Sequence, residues 1–273
     1  PRLWSPDEPA LYTLVVRLAG REEAADDPYV MSTGFREVRT EGSRILLNGR
    51  PIRLRGISRH ESHPHLGNAG IDQIAFTDLT LLKQAGANMV RLAHYPNDPH
   101  ALDIADRMGI LVFAELPAIW LGEERLGDAD IRRRTKASFD ALWRRDGHHP
   151  SIILWGLMNE CATQTEAGER FFKELAAHVR SRDLTRLITQ ASETPDGDRC
   201  FQYADVIGLN YFHGWYADAP IEEYGMALDR LHQRFPEKPI LLSSHGADAI
   251  AGFRSLHGAK WSEEAQAAYH AGV

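Results

Sequence analysis

Cysteine is scarce in this chain: Cys161 and Cys200 are the two among 273 residues. Two cysteines cannot staple a small secreted scaffold, and they lack the paired spacing of a zinc module. A disulfide framework is therefore excluded, and a reducing, cytoplasmic compartment is favoured. No stretch of about 18 apolar residues occurs, which removes a membrane-spanning helix. No block of one charge sign occurs either. The net charge of -7 is spread along the chain, so neither nucleic acid nor an anionic membrane surface finds an electrostatic footprint. Internal repeats and low-complexity segments are absent. The chain opens Pro1-Arg2-Leu3-Trp4, with no initiator methionine and no charged-then-apolar leader, as the interior of a longer protein would.

What is present is ordinary globular composition, 43% hydrophobic and 25% charged, long enough to bury one large core or two smaller ones. The run Ala10 to Leu18, bounded by Pro9 and Gly20, reads as a strand, and a second strand is expected around Gly34-Phe35-Arg36-Glu37-Val38. Two or three strands cannot bury both faces of a sheet, so residues 1–42 read as the last part of a β-sandwich. From residue 43 the pattern changes. Seven short apolar runs recur: Ile52–Ile57, Asn88–Leu92, Ile110–Phe113, Ile152–Trp155, Leu187–Thr189, Val206–Leu209 and Pro239–Leu242. Amphipathic stretches lie between them at Phe76–Ala85, Ala101–Arg107, Ile131–Arg145, Glu166–Arg180 and Ile221–Arg234. This βα alternation predicts an α/β fold, a (β/α)8 TIM barrel missing its last strand over residues 43–273, with a doubly wound open sheet as the alternative.

In a βα barrel the active site is built at the C-terminal ends of the strands. Those positions are polar here: Ser58-Arg59-His60-Glu61, His94-Tyr95-Pro96-Asn97, Glu115, Asn159-Glu160, and Asn210-Tyr211-Phe212-His213-Gly214-Trp215-Tyr216. A single ionisable strand end commonly caps a helix or sits in a rim salt bridge; five together make a site. Ser151 to Met158 is a nearly continuous apolar strand that delivers an amide and a carboxyl side by side. Glycoside hydrolysis needs that pair, an acid for the departing oxygen and a hydrogen bond that strengthens as the oxocarbenium-like transition state forms.

The stretch His148-His149-Pro150-Ser151-Ile152-Ile153-Leu154-Trp155-Gly156-Leu157-Met158-Asn159-Glu160 resembles the acid/base signature of glycoside hydrolase family 2. Asn88 to Pro96, running on through Asp106 to Phe113, resembles its upstream signature, with His148 and Leu92 departing from the usual Asn and small residue. Leu209-Asn210, Gly214-Trp215-Tyr216, Gly246 to Gly252 and Trp261-Ser262-Glu263-Glu264 are most similar to the β-glucuronidases of that family; its β-galactosidases follow the second carboxylate with a different loop. The resemblance covers essentially the whole chain. It implies that residues 1–42 end an immunoglobulin-like sandwich. It further implies that Glu160 is the acid/base of a retaining exo-β-glycosidase and that the ligand is a carbohydrate such as a glucuronide. Substrate-binding roles are implied for Asn159, His94, Arg91, Asn210, Tyr211, Trp215 and Tyr216, with Trp215 stacking on a sugar face, Tyr211 and Tyr216 orienting the nucleophile and Glu115 supporting Arg91. In the family an Asn and a Lys beyond the eighth strand select glucuronate, and this chain is expected to end before them.

One residue breaks the pattern. The family's second carboxylate, the nucleophile, aligns with Ser244 in Leu241-Leu242-Ser243-Ser244-His245-Gly246. A serine hydroxyl is nearly un-ionised at neutral pH and has only His245 beside it as a base, so this form is expected to be inactive or severely impaired. Asp248 is the alternative carboxylate, four positions into the following loop. An engineered replacement, a natural loss and a sequence error all fit Ser244. A β-galactosidase or related β-glycosidase and a non-catalytic sugar-binding pseudoenzyme are the competing readings; a homo-oligomer stays open. Cys161 reads as buried filler. No cofactor and no metal are expected, since His60, His63 and His65 flank Pro64 in a loop and lack a fourth ligand.

Overall fold

A computed structural model describes residues 1–17, 28–70, 72–216 and 220–272. The first elements are β1 (Tyr12–Val16) and β2 (Tyr29–Thr33), an antiparallel pair. Leu18, the last residue of the strand expected from Ala10, lies outside the described residues. Every residue of β1 is exposed, Leu14 and Val16 included, so the pair gains little from its own burial. These two strands alone do not display a sandwich.

The strand expected around Gly34 to Val38 is displaced. Gly34–Glu37 is a connection between β2 and β3 (Val38–Glu41), and its side chains explain why it leaves the ladder. A Cβ on Gly34 would lie 2.8 Å from Pro150 Cγ. Arg36 donates to the carbonyls of Pro150 (3.1 Å), Thr185 (2.6 Å) and Ile152 (2.5 Å), which anchors this segment to the lower edge of the parallel strands. Burial, followed by the nearby charge of Arg186, lowers the Arg36 pKa to about 9, leaving it charged at neutral pH.

β3, β4 (Arg44–Leu47) and β5 (Arg50–Ile52) form an antiparallel meander. The first apolar run thus divides: Ile52 closes β5, and the first parallel strand, β6, begins at Gly56 and ends at Arg59. It is followed by β7 (Met89–Leu92), β8 (Leu111–Glu115), β9 (Ile152–Asn159), β10 (Leu187–Ala191), β11 (Ile207–Asn210) and β12 (Ile240–Ser244). β6 to β10 make one parallel sheet in sequential order, β11 and β12 a second, and the bridge Ser192–Leu209 joins them. A doubly wound sheet reverses its strand order; this one never does. Between the strands run α1 (Asp72–Gln84), α2 (Pro99–Met108), α3 (Glu123–Gly127), α4 (Ala129–Asp146), α5 (Glu166–Arg180) and α6 (Glu223–Arg234), with α7 (Glu263–Gly272) after β12. Side-chain caps start several of the helices. Thr165 accepts from the Gly168 amide at the start of α5, and Asp98 accepts from the His100 amide with Pro99 in the first turn of α2.

Alternation along the strands sorts side chains into two cores. Val90, Leu92, Val112 and Ala114 face the helices and pack with Leu102, Phe139, Phe171 and Leu175. Met89, Leu111 and Phe113 point inward and pack with Val38, Ile45, Leu47 and Trp4, so the meander and Trp4 plug the bottom of the sheet cylinder. Continuing the inward face upward gives Arg91 on β7 and Glu115 on β8. The cylinder is not closed: among the described residues no ladder joins β12 to β6, and Ser58 Oγ reaches the Ser243 carbonyl at 3.3 Å. No helix of the described residues is long and apolar enough to cross a membrane.

Candidate active site

Arg91 is 1% exposed and occupies the centre of the strand C-terminal ends. Its Nε donates to Glu115 Oε1 (2.9 Å), and its Nη1 donates to Asn210 Oδ1 (3.1 Å) and the Ser243 carbonyl (3.0 Å). Its Nη2 donates to Asn159 Oδ1 (2.6 Å) and lies 2.7 Å from Glu115 Oε1. Four of its five guanidinium hydrogens go to protein acceptors, and Nη2 also lies 3.3 Å from His94 Nδ1. Arg91, expected to contact substrate, is in this structure the hub that aligns four neighbouring strands. Glu115 takes the supporting role expected of it, and its Oε2 lies 2.9 Å from His94 Nδ1. A carboxylate acceptor there assigns the imidazole hydrogen to Nδ1.

The hub fixes both amides. Asn159 Oδ1 accepts from Arg91 and from Asn210 Nδ2 (3.1 Å), so its Nδ2 must be the free end, and that nitrogen is buried with no partner. A buried amide donor left unpaired costs roughly 1–3 kcal/mol. Asn210, expected to hold substrate, is instead consumed by the protein: Oδ1 accepts from Arg91 and from Ser243 Oγ (3.0 Å), and Nδ2 donates to Glu160 Oε1 (2.5 Å).

Glu160 follows β9 directly in a left-handed conformation (φ 49°), its amide donating to the Ala191 carbonyl at 2.8 Å. One carboxyl oxygen takes the Asn210 donor and the other takes Trp120 Nε1 at 2.5 Å. Trp120 was not among the residues expected at the site; its one signal in the sequence is a lone tryptophan five residues beyond Glu115. Glu193, also unanticipated, stands near enough that partial burial and then the Glu160 charge raise its pKa. Burial pushes the Cys161 thiol up to about 11, which keeps it a neutral packing group. His60 packs edge-on against His94 at 5.0 Å, and burial, then His94 and Arg91, lower its pKa and keep it neutral.

Ser244 ends β12 opposite Asn210 in the parallel ladder, and its carbonyl accepts the Tyr211 amide at 2.8 Å. Asn210 thus lies between Ser244 and Glu160. Ser244, His245, Asp248, Tyr216, Arg91 and Ser58 line one cavity of about 840 Å³ that opens along the unpaired seam of the cylinder. Burial, then His270, lower the His245 pKa. Trp215 is placed otherwise than expected. It is buried against Ala247 and Tyr269, with Nε1 donating to Asp248 Oδ2 (3.0 Å), and it presents no open face for a sugar. The Tyr216 hydroxyl also donates to Asp248, and the Tyr211 ring stacks on His213 at 4.0 Å, so the contacts of both rings lie elsewhere than residue 244. Asp248 is tied to this aromatic pair. Among the described residues one group has metal-ligand spacing, Asp103, Asp106 and His149, below the site. Asp106 already spends its oxygens on His149 Nδ1 (2.6 Å) and the Ser151 amide (3.0 Å).

The model of glycosyl hydrolases family 2, TIM barrel domain, matches residues 38–271, and the model of glycosyl hydrolases family 2 matches residues 1–36. The chain belongs to glycoside hydrolase family 2. Among curated relatives, β-glucuronidase of Paenibacillus borealis is 34% identical over 97% of this chain and 47% of its own length. β-Glucuronidase of Rattus norvegicus is 33% identical over 97% of this chain and 42% of its own. Among solved structures, the family 2 β-galacturonidase from Eisenbergiella tayi bound to galacturonate superposes with a TM-score of 0.92 at 38% identity, covering 98% of this chain and 48% of that one. β-Glucuronidase from Ruminococcus gnavus in complex with D-glucuronic acid superposes at 0.91 and 32%, covering 100% and 48%. The chain spans about half the length of the relatives it matches. The seven parallel strands are accordingly those of a family 2 TIM barrel.

Proposed function

We propose that this chain carries the catalytic barrel of an exo-β-glycosidase of the β-glucuronidase type, built for configuration-retaining cleavage, with residues 1–42 as the end of an immunoglobulin-like domain and residues 43–273 as the barrel. The observation that carries the reading is the unpartnered, buried Asn159 Nδ2 beside Glu160. A sugar hydroxyl next to the anomeric carbon satisfies that donor, and the hydrogen bond strengthens as positive charge develops on the ring. Glu160, held by Asn210 and Trp120, donates a proton to the departing glycosidic oxygen and afterwards accepts one from water.

Double displacement needs a second carboxylate about 5–5.5 Å from the first. Position 244 is on the strand that supplies it, and a neutral hydroxyl there can neither attack the anomeric carbon efficiently nor leave again. In this form the barrel binds its sugar and turns it over negligibly, which makes a sugar-binding protein the second reading. For the sugar itself, the relatives favour glucuronosides, and the Eisenbergiella tayi neighbour favours galacturonosides. With two buried free cysteines, a reducing, cytoplasmic setting fits the chain.

Calorimetric titration with glucuronate, galacturonate and galactose tests this. At least one uronate should bind more tightly than galactose, and Asn159→Ala should weaken it about 2- to 10-fold, the loss of one hydrogen bond. Tighter binding of galactose would remove the uronidase reading.

A further inference from the structure

Trp120 stands outside the Arg91 hub and the nucleophile strand, and its geometry is unusual in three respects. It is 72% exposed, the most open of the aromatic rings around the strand ends, where large apolar groups are ordinarily covered. It holds a left-handed backbone conformation (φ 52°), which a bulky side chain adopts only when its surroundings impose it. Those surroundings are the strand that carries the acid: the Trp120 amide donates to the Asn159 carbonyl (3.0 Å), the Asn159 amide donates to the Ala118 carbonyl (2.9 Å), and Ile119 bridges Asn159 in parallel. The indole is thereby fixed with Nε1 at 2.5 Å from Glu160 Oε2.

We propose that Trp120 is a positioning residue for the Glu160 carboxyl and that its open ring forms a wall of the leaving-group subsite, favouring flat aromatic aglycones. The departing oxygen must come within about 2.6–3.2 Å of a Glu160 oxygen to receive its proton. One of those oxygens already touches the indole, so the first atoms beyond the scissile bond lie against the Trp120 ring. An aryl group there gains an aromatic contact that an alkyl group does not. The N–H bond also holds the carboxyl plane, which matters most when the leaving group depends on full protonation.

This inference rests on Glu160 as the acid, and the test separates the two. Phenyl and methyl β-glucuronide are titrated against the chain, Trp120→Gly and Trp120→Phe, with free glucuronate as reference. The native chain should prefer the phenyl glycoside about 2- to 10-fold, Trp120→Phe should keep the preference, and Trp120→Gly should abolish it. In the Ser244→Glu background, Trp120→Phe should lower kcat on the methyl glucuronide more than on nitrophenyl glucuronide, a split that a merely structural role would not give. Equal affinity for the phenyl and methyl glycosides in the native chain, or an aryl preference surviving in Trp120→Gly, overturns the inference alone. Failure of glucuronate and its glycosides to bind any form overturns the glucuronidase reading together with it.

Discussion

At the scale of single residues, the site is organised by a buried cation, Arg91. Arg91 bonds to residues 24, 68, 119 and 152 positions away. No local pattern reveals such partners, which is why the sequence places Arg91 at the strand end but does not show the hub it forms. The placement of Glu160, Asn159 and Glu115 at strand ends was legible, because a polar side chain that ends an apolar strand falls on the rim where a barrel builds its site. The hub has a consequence for stability. Breaking a buried ion pair by removing one partner costs about 3–5 kcal/mol, and Arg91→Met strands Glu115 while releasing both amides. Denaturant unfolding should show that loss, whereas Arg91→Lys, which keeps the charge but not the fork, should lose less stability and still misplace Asn159. At Glu160, Gln substitution in a Ser244→Glu background should slow alkyl glucuronides by about 10²- to 10⁴-fold and nitrophenyl glucuronide far less. Equal slowing of both substrates would take the acid role from Glu160.

At the scale of elements, the strands and helices were readable from apolar periodicity, and the errors fell where tertiary contacts decide. Gly34–Glu37 has strand-like composition, but the Arg36 anchor and the Pro150 contact draw it out of the ladder. Trp215 looked like a sugar platform because an aromatic run says nothing about which ring is covered. β9 packs so closely on β8 that a Cβ at Gly156 would lie 2.4 Å from Phe113 Cε2 and 2.8 Å from Glu115 Cγ. Gly156→Ala should therefore displace Glu115, destabilise by about 1–3 kcal/mol and weaken sugar binding from a position that touches no ligand; an unchanged melting curve and affinity would contradict this packing. Beneath β9 and β10, Asp183 accepts from Trp155 Nε1 (2.9 Å) and Arg186 Nη1 (2.8 Å). Burial opposes its ionisation, but Arg186, Thr185 and Trp155 prevail and lower its pKa from 3.8 to about 2. A depressed carboxylate contributes stability that is fully present above about pH 4 and is lost as pH falls through about 2. The shift corresponds to about 2 kcal/mol, so the stability gap between the native chain and Asp183→Asn should be at least that at pH 7 and should narrow in unfolding curves taken below pH 4.

At the scale of the whole molecule, the barrel was legible because seven βα units in sequence admit few arrangements, and the sequential strand order excludes the doubly wound one. The sandwich expected over residues 1–42 is represented by one exposed antiparallel pair, which does not display the sheets it would pack against. On the proposed function, position 244 is where this barrel would hold its nucleophile, and Ser244 removes it. The most direct measurement is hydrolysis of nitrophenyl glucuronide with mass-spectrometric trapping by a 2-fluoro-glucuronosyl donor, comparing the native chain with Ser244→Glu, each extended to the length of its relatives. The native form should release leaving group negligibly and carry no label. The Ser244→Glu form should show a burst, retain configuration and carry one label on residue 244. Sustained turnover by the native form without added anion, or a label on Asp248, would contradict the assignment of the nucleophile.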